Sequence, residues 1–155
     1  MKKLLILLFS ILLSFNSYGE TETDYYENGQ IKQEGNYKDH KKDDKWTYWH
    51  ENGQIKQEGN YKDHKQDGKW TSWHKNGQIE SEGNYKDGKK HGKVTWWHDS
   101  GQINGEATYK DDNLISQTDY YYYGNGQMSE KINYKDGELH GKYIGWHENG
   151  QIKSE

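Results

Sequence analysis

The sequence contains no cysteine, no proline and no arginine, and each absence excludes something. Without cysteine the chain has no disulfide, no thiol nucleophile and no side chain for lipid attachment. The absence of proline suits continuous strands, because proline cannot donate a hydrogen bond within a sheet. Arginine makes the bidentate contacts that favour phosphate and guanine, so its absence argues against nucleic acid as a partner.

Aliphatic side chains are also scarce. From Glu20 onward there are eight Ile, two Leu, one Val and no Phe, which is fewer than a globular domain usually has. Taken alone, this composition would favour a disordered chain. However, the same stretch carries seven Trp and thirteen Tyr at regular positions, and each such ring can bury roughly 150–250 Å². We therefore predict ordered β structure that is stabilised by aromatic rings.

The only long apolar run lies at the start of the chain, from Leu4 to Leu13. It follows two lysines and precedes small residues, which is the pattern of a secretory signal peptide. The run is too short to span a bilayer, for which about 20 residues are needed. We predict a signal-peptide helix over residues 1–19 with cleavage after Gly19, a repeat domain over residues 20–155, and export to the periplasm, the cell envelope or the medium.

The mature part is organised around one recurring signature, Trp49-His-Glu-Asn-Gly-Gln-Ile55, with a period of 24 residues and a single step of 25. A fixed period of this size indicates stacked repeats. Asn-Gly between two β-prone runs predicts a hairpin, because both residues tolerate positive φ. About six repeats result, the first and last incomplete. Their shared structural positions are Gly29, Gly53, Gly77, Gly101, Gly126 and Gly150, with Trp49, Trp73, Trp97, Trp146, Ile55, Ile79 and Ile103.

Two hairpin registers fit this signature. A two-residue Asn-Gly loop would pair Trp49 with Lys56, whereas a three-residue Glu-Asn-Gly loop, with glycine in the left-handed region, would pair Trp49 with Ile55. We prefer the second, because it places the two most regular apolar positions on one face. Strict alternation then adds Tyr61 to that face. Its repeats at Tyr37, Tyr85, Tyr109 and Tyr134 would follow it.

The opposite face of the predicted sheet is also aromatic and is the candidate binding surface. It could simply be packing, with lysine stems lying over the rings. It could also bind a partner, because Tyr and Trp dominate interface hot spots, or stack on sugar rings or choline groups. The candidate binding residues are Trp46, Tyr48, Trp70, Trp96, Tyr121 and Tyr143.

The sequence predicts no catalytic residue, no metal site and no cofactor. His50, His74, His98 and His147 share one repeat position, where Tyr26 and Tyr123 substitute. Successive copies should lie two strands apart, roughly 9.5 Å, which is too far for a shared ion, so we expect surface histidines. Glu58 and its equivalents also repeat, but catalysis needs one asymmetric constellation in a pocket rather than a repeated one.

The units resemble the bacterial variant of the MORN repeat, through aromatic-x-x-Asn-Gly-Gln-Ile, a later Tyr and a Lys-Asp-Gly-type turn, over essentially the whole mature chain. The resemblance implies an all-β fold in which tandem hairpins form one elongated, curved antiparallel meander sheet. Many bacterial members carry antitoxin or immunity labels, and other MORN arrays act as scaffolds or phospholipid-associated modules.

From these features we expect a non-enzymatic exported protein that binds an unidentified protein partner, with an antitoxin- or immunity-like role as its specific form. The alternative is a cell-envelope module that binds glycan or a phospholipid membrane surface through its aromatic face. A purely structural spacer is the third interpretation.

Overall fold

The computed structural model describes residues 19–155, so the signal peptide predicted for residues 1–19 lies outside it except for Gly19. Within this range all regular structure is β, in thirteen strands. They are β1 Glu20–Tyr25, β2 Ile31–Lys38, β3 Lys41–Trp49, β4 Ile55–Lys62, β5 Lys65–Trp73, β6 Ile79–Lys86, β7 Lys89–Trp97, β8 Ile103–Lys110, β9 Asn113–Tyr122, β10 Met128–Lys135, β11 Glu138–Leu139, β12 Ile144–Trp146 and β13 Ile152–Ser154.

All the strands belong to one open antiparallel sheet. From β1 to β10 each strand pairs with its neighbours in sequence. Strand β10 then pairs with both β11 and β12, and β12 pairs with β13. The predicted all-β meander of tandem hairpins is confirmed. The part of the chain that is described contains no helix suited to crossing a membrane.

The Asn-Gly turns adopt the three-residue loop. In the turn after β3, the Gly53 N–H donates to the His50 carbonyl at 2.9 Å and the His50 N–H donates to the Gln54 carbonyl at 2.8 Å. Gly53 has φ +83°, a region that a side chain disfavours. Trp49 pairs with Ile55, and the other Asn-Gly hairpins repeat this arrangement, so the preferred register is confirmed.

A second irregularity follows each of these turns. One step along β3, from Trp49 to Tyr48, corresponds to two steps along β4, from Ile55 to Gln57. Lys56 is therefore an extra residue, a β-bulge. Because alternation restarts after a bulge, Ile55 and Gln57 lie on opposite faces although they are two residues apart.

The bulge reverses the predicted face of Tyr61. Tyr61 lies on the same face as Trp46, and its ring centroid is 6.1 Å from that of the indole. The prediction that it shares a face with Trp49 and Ile55 is wrong, because strict alternation ignored the extra residue. The same correction applies to the equivalent tyrosines, Tyr37, Tyr85, Tyr109 and Tyr134.

The core is a single layer of side chains along the middle of this face. Trp46 is 0% exposed and Trp70 is 3% exposed, and Val94 and Ala107 continue the buried row. A one-layer sheet can exclude water here because each indole covers the backbone of the preceding strand. The candidate site is built on this row.

Candidate functional site on the aromatic face

We call the face that carries Trp46 the aromatic face. The strand register places all the candidate residues from the sequence on it, except that Tyr143 precedes the first residue of β12. Glu130 pairs with Tyr121 on one side and with Gly145 on the other, so these three residues share a face. The Tyr143 hydroxyl lies 3.5 Å from where a Cβ on Gly145 would stand, which places Tyr143 on this face as well. The structure therefore brings the predicted set together on one surface: Trp46, Tyr48, Trp70, Trp96, Tyr121 and Tyr143.

Alternating tyrosines and tryptophans form an edge-to-face series, which we call the aromatic ladder. Its rings are Tyr37, Trp46, Tyr61, Trp70 and Tyr85. Successive ring centroids are 5.1, 6.1, 5.1 and 6.4 Å apart and the planes cross at 73–88°. This geometry directs the positive edge of one ring at the negative face of the next. The ladder holds four successive hairpins in one rigid row.

Each ladder tryptophan lies flat on a glycine. A Cβ built on Gly35 would stand 2.3 Å from Trp46 Cδ2, and one on Gly59 would stand 2.3 Å from Trp70 Cδ2. The indole N–H of Trp46 donates to the Asn36 carbonyl at 3.1 Å, and Trp70 repeats the bond to Asn60. These contacts bury both indoles.

Burial changes the role predicted for two of the candidate binding residues. Because Trp46 and Trp70 are almost fully covered by the chain itself, their rings offer no surface to a ligand. We reassign both to packing. Tyr121 and Tyr143, at 46% and 41% exposed, and the partly exposed Trp96 keep ring surface open to solvent. Tyr48 is also partly exposed, but the two most exposed candidate rings, Tyr121 and Tyr143, lie in the C-terminal half of the sheet.

A lysine covers the first ladder tryptophan. The Lys42 ammonium lies 3.8 Å from the Trp46 ring centroid and donates to the Tyr48 hydroxyl at 3.0 Å. This is a cation–π contact with the stem lying along the ring. Gln66 takes the same place in the next repeat and Lys90 in the one after. The packing interpretation of lysines over rings therefore holds at Lys42.

Burial also raises the pKa of two tyrosines on this face. The Tyr61 hydroxyl lies 3.2 Å from that of Tyr48. Partial burial, and then the hydrogen bond to Tyr48, raises the pKa of Tyr61 from 10.0 to about 12. Burial raises the pKa of Tyr48 as well. Both phenols are therefore uncharged at neutral pH.

These shifts predict a loss of stability in alkali. Because the pKa of Tyr61 is higher in the folded chain than its ordinary value of 10.0, its contribution is complete below about pH 10 and is lost as pH rises towards 12. Chemical unfolding at several pH values should show the free energy of unfolding falling in this window. Tyr61→Phe should make the fall shallower, whereas Tyr25→Phe, at a 62% exposed position, should leave it unchanged. Equal slopes in all three proteins would contradict the assignment.

On the opposite face, which carries Trp49 and its equivalents, the residues between these tryptophans are charged rather than aromatic. Lys45 pairs with Glu58 at 2.9 Å, and the next two repeats contain the same pair, Lys69 with Glu82 and Lys93 with Glu106. The repeated glutamates are thus ion-paired across strands, which explains them without catalysis. Among residues 19–155 no group of three His, Asp or Glu side chains is arranged to hold a metal ion.

The repeated histidines form a contact that the sequence analysis missed. The His50 Nε2–H donates to the Trp73 carbonyl at 2.8 Å, and His74 makes the same bond to Trp97 at 3.0 Å. Tyr26 and Tyr123 reach the equivalent carbonyls through their hydroxyls. The expectation of surface histidines is therefore wrong for His50 and His74, which are half-buried and hydrogen-bonded. The available signal was the exchange of His with Tyr, since both rings present a donor at their far end.

The asparagines of the turns add a second tie between repeats. Asn52 Oδ1 accepts from the Gln54 N–H at 3.1 Å, while its Nδ2 donates to the Lys75 carbonyl at 2.9 Å in the next turn. Asn28, Asn76 and Asn125 repeat both bonds. Each turn is thus fixed internally and bonded to the turn one repeat later. The turn at Ser100 is tied to the next one through Gln102 instead, whose side-chain amide Nε2 donates to the Gly126 carbonyl at 2.7 Å.

Replacing His50 should test the tie between repeats. His50→Ala should lower the free energy of unfolding by about 1 kcal/mol, because a part-buried hydrogen bond is lost. His50→Tyr should recover most of this loss, since Tyr26 makes the equivalent bond one repeat earlier. Urea unfolding followed by circular dichroism measures both changes. If tyrosine proved as destabilising as alanine, the bond to Trp73 would not be what the histidine contributes.

Comparison with known proteins agrees with the repeat geometry. The sequence model of the MORN repeat variant matches six segments that together cover more than half of the chain: residues 21–39, 45–63, 66–87, 90–111, 120–136 and 139–155. Each of the six matched segments contains one of the repeated turns, which carry Gly29, Gly53, Gly77, Gly101, Gly126 and Gly150. A search of curated proteins found no match.

Proposed function

The chain belongs to the MORN repeat variant family, and from this premise we propose that it is a non-catalytic interaction protein that binds a protein partner through its aromatic face. MORN repeats are in general modules for protein or membrane interaction, and their all-β scaffold is not typical of enzymes. The observation that carries the proposal is a continuous sheet that exposes Tyr121 and Tyr143 on the same face as its buried tryptophans.

The exposed rings have the properties of interface anchors. Tyr121 lies within β9 and is 46% exposed. Tyr143 directly precedes β12 and is 41% exposed. A tyrosine on a rigid support loses little conformational entropy on binding and buries much area, which is why it is enriched at hot spots. Trp96 on β7 extends this surface towards the ladder.

A protein partner fits this surface better than an anionic membrane. The whole chain has net charge −4, and removal of Lys2 and Lys3 with a signal peptide would make it more negative. Two lysines of the aromatic face, Lys42 and Lys90, direct their ammoniums at aromatic rings. Attraction to anionic lipid usually needs a basic cluster instead. Stacking on glycan is the alternative, and photocrosslinking distinguishes it from a protein partner.

The finer proposal is that the protein is exported and that binding neutralises or shields its partner, as in an immunity protein. Export is supported by the basic, apolar and small-residue segments at the start of the chain. The intact mass of the protein recovered from a cell-envelope fraction should correspond to a chain that begins at Glu20. A full-length mass in the cytoplasmic fraction would refute export and leave the binding proposal standing.

Site-specific photocrosslinking tests the binding face. A photoreactive phenylalanine at Tyr121 or Tyr143 should form one discrete protein adduct in living cells. The same probe at Ile55, which is 38% exposed on the opposite face, is the control and should form none. Equal crosslinking at Ile55 would overturn the assignment of the face. Absence of any adduct, together with sedimentation of the protein on purified cell wall or vesicles, would favour the glycan or lipid alternative.

A further inference from the structure

One unit of the sheet carries a glutamate on the aromatic face at a position where the earlier units carry an uncharged residue. This position pairs with Tyr48 or with the residue that replaces it in a later unit. On β10 the position is occupied by Glu130, which pairs with Tyr121 and is half-buried. On the earlier strands its occupants are Gln33, Gln57, Ser81 and Gly105.

The glutamate of this unit has no lysine partner. In three earlier units the glutamate lies one residue further along the strand, on the opposite face, and is ion-paired with a lysine there. On β10 that place is taken by Lys131, whose ammonium lies 5.6 Å from the Tyr120 ring on the same opposite face. In the part of the chain that the structure describes, Glu130 makes no ion pair.

Two exposed tyrosines flank the Glu130 carboxylate. Tyr121 is its neighbour on β9, and Gly145, its neighbour on β12, has no side chain to cover it. The Tyr143 hydroxyl lies over Gly145, and hydrogen bonding to Glu130 raises the pKa of that hydroxyl. Both rings are more than 40% exposed. We call Tyr121, Glu130 and Tyr143 the acidic aromatic patch.

The two halves of the aromatic face differ in the sign of their charge. In the N-terminal half the Lys42 ammonium lies over a tryptophan ring. Beside the acidic aromatic patch the further charge is another carboxylate, because Asp119 on β9 lies diagonally across from Glu130 on the same face. Lys142, which precedes Tyr143 in the chain, is ion-paired with Glu155. The complement of this patch is therefore a cation.

A guanidinium group fits the patch better than other cations do. The face of an exposed tyrosine ring attracts a cation, and a carboxylate beside the ring adds a charge-assisted hydrogen bond. Guanidinium is planar, so it can stack on the ring and present two N–H groups to the carboxylate at the same time. A lysine ammonium is a compact and strongly hydrated point charge, and choline has no N–H group to donate.

We propose that the acidic aromatic patch binds an arginine side chain of the protein partner, with the guanidinium paired to Glu130 and stacked on Tyr121. Tyr143 closes the other side of the carboxylate and holds it in place through its hydroxyl. The proposal rests on the proposed function for the source of the arginine, whereas the recognition of guanidinium depends on this chain alone. Arginine is among the residues that most often dominate the binding energy of protein interfaces.

Titration of the protein with N-acetyl-argininamide tests the patch without any partner. Amide chemical shifts of Tyr121, Glu130 and Gly145 should change saturably, with a dissociation constant on the order of ten millimolar, since one exposed ion pair and one cation–π contact are gained. N-acetyl-lysinamide and choline should bind about threefold more weakly or less. No saturation, or equal binding of the three cations, would overturn the assignment to guanidinium.

Glu130→Gln should weaken the binding of N-acetyl-argininamide about threefold, because the ion pair is lost. The fold should be kept, since Gln33 and Gln57 occupy the same position in two earlier units. Glu51→Gln is the matched control, because it removes the same charge from an exposed turn and should leave binding unchanged. Equal affinities in the Glu130 variant and the parent, or equal weakening in both variants, would overturn the site.

The same two variants separate this inference from the proposed function in cells. With the photoreactive probe at Tyr143, the partner adduct should decrease in Glu130→Gln and persist in Glu51→Gln. An undiminished adduct in Glu130→Gln would refute the arginine contact and leave the proposed function standing. Saturable guanidinium binding in a protein that forms no adduct at any position would support the guanidinium site and count against the protein partner.

Discussion

Replacing Trp70 with alanine is expected to lower the free energy of unfolding by about 3–5 kcal/mol, the range for removing a fully packed aromatic side chain. Trp70 is 3% exposed, its ring contacts those of Tyr61 and Tyr85, and its N–H bonds to the Asn60 carbonyl. A single-layer sheet has no second layer that could collapse into the space. Urea unfolding followed by far-ultraviolet circular dichroism measures the change.

Trp73→Ala is the control for this experiment, because Trp73 lies on the same strand but on the opposite, partly exposed face. Its loss should be clearly smaller than that of Trp70. In a repeat array each unit depends on its neighbours, so amide exchange in the Trp70 variant should accelerate most in β4, β5 and β6. Equal losses for the two tryptophans would contradict the view that one face holds the fold.

The hairpins and their register could be predicted because the determinants are local. Gly53 must adopt positive φ, and Asn52 closes the turn through its own side chain, so the residues of one turn settle its geometry. The pairing of Trp49 with Ile55 then follows from the loop length. The repeat period extended this conclusion to the other units, and the family match agrees with it.

The face of each tyrosine could not be predicted in the same way. One extra residue, Lys56, reverses the alternation for everything that follows it on β4. Periodicity alone does not show a bulge, since the strand remains equally apolar in either register. Tyr61 was therefore assigned to the wrong face. Trp46 and Tyr48 were correctly assigned to one face, because they precede the bulge and lie on the other strand.

The roles of the aromatic residues depended on glycines that the sequence analysis did not use. A glycine eleven residues before each ladder tryptophan, Gly35 before Trp46 and Gly59 before Trp70, is the sequence signal of a buried indole. Without it, these two rings resembled a binding surface. In a later repeat, between β8 and β9, Gln117 stands in place of the tryptophan and Ala107 stands in place of the glycine. Tyr121, which pairs with Glu130 rather than with a glycine, remains 46% exposed.

Replacing Gly59 with alanine should therefore be as damaging as losing the indole that lies on it. The new Cβ would stand 2.3 Å from Trp70 Cδ2 and 2.4 Å from Cε2, which is closer than real contacts allow. Trp70 would have to leave its place, and the free energy of unfolding should fall by about 3 kcal/mol. Gly83→Ala is the matched control, because its Cβ would meet the Val94 methyl Cγ2 at 2.9 Å and a smaller shift relieves the clash.

A double-mutant cycle gives the sharpest test of the pairing between Gly59 and Trp70. Residues that act through one contact are not additive, so the added methyl should cost little once Trp70 is already alanine. The free energy of unfolding of the double variant should therefore lie close to that of Trp70→Ala alone. If the two losses simply added, Gly59→Ala would be acting on the backbone of β4, and the indole would not be the reason why glycine is required there.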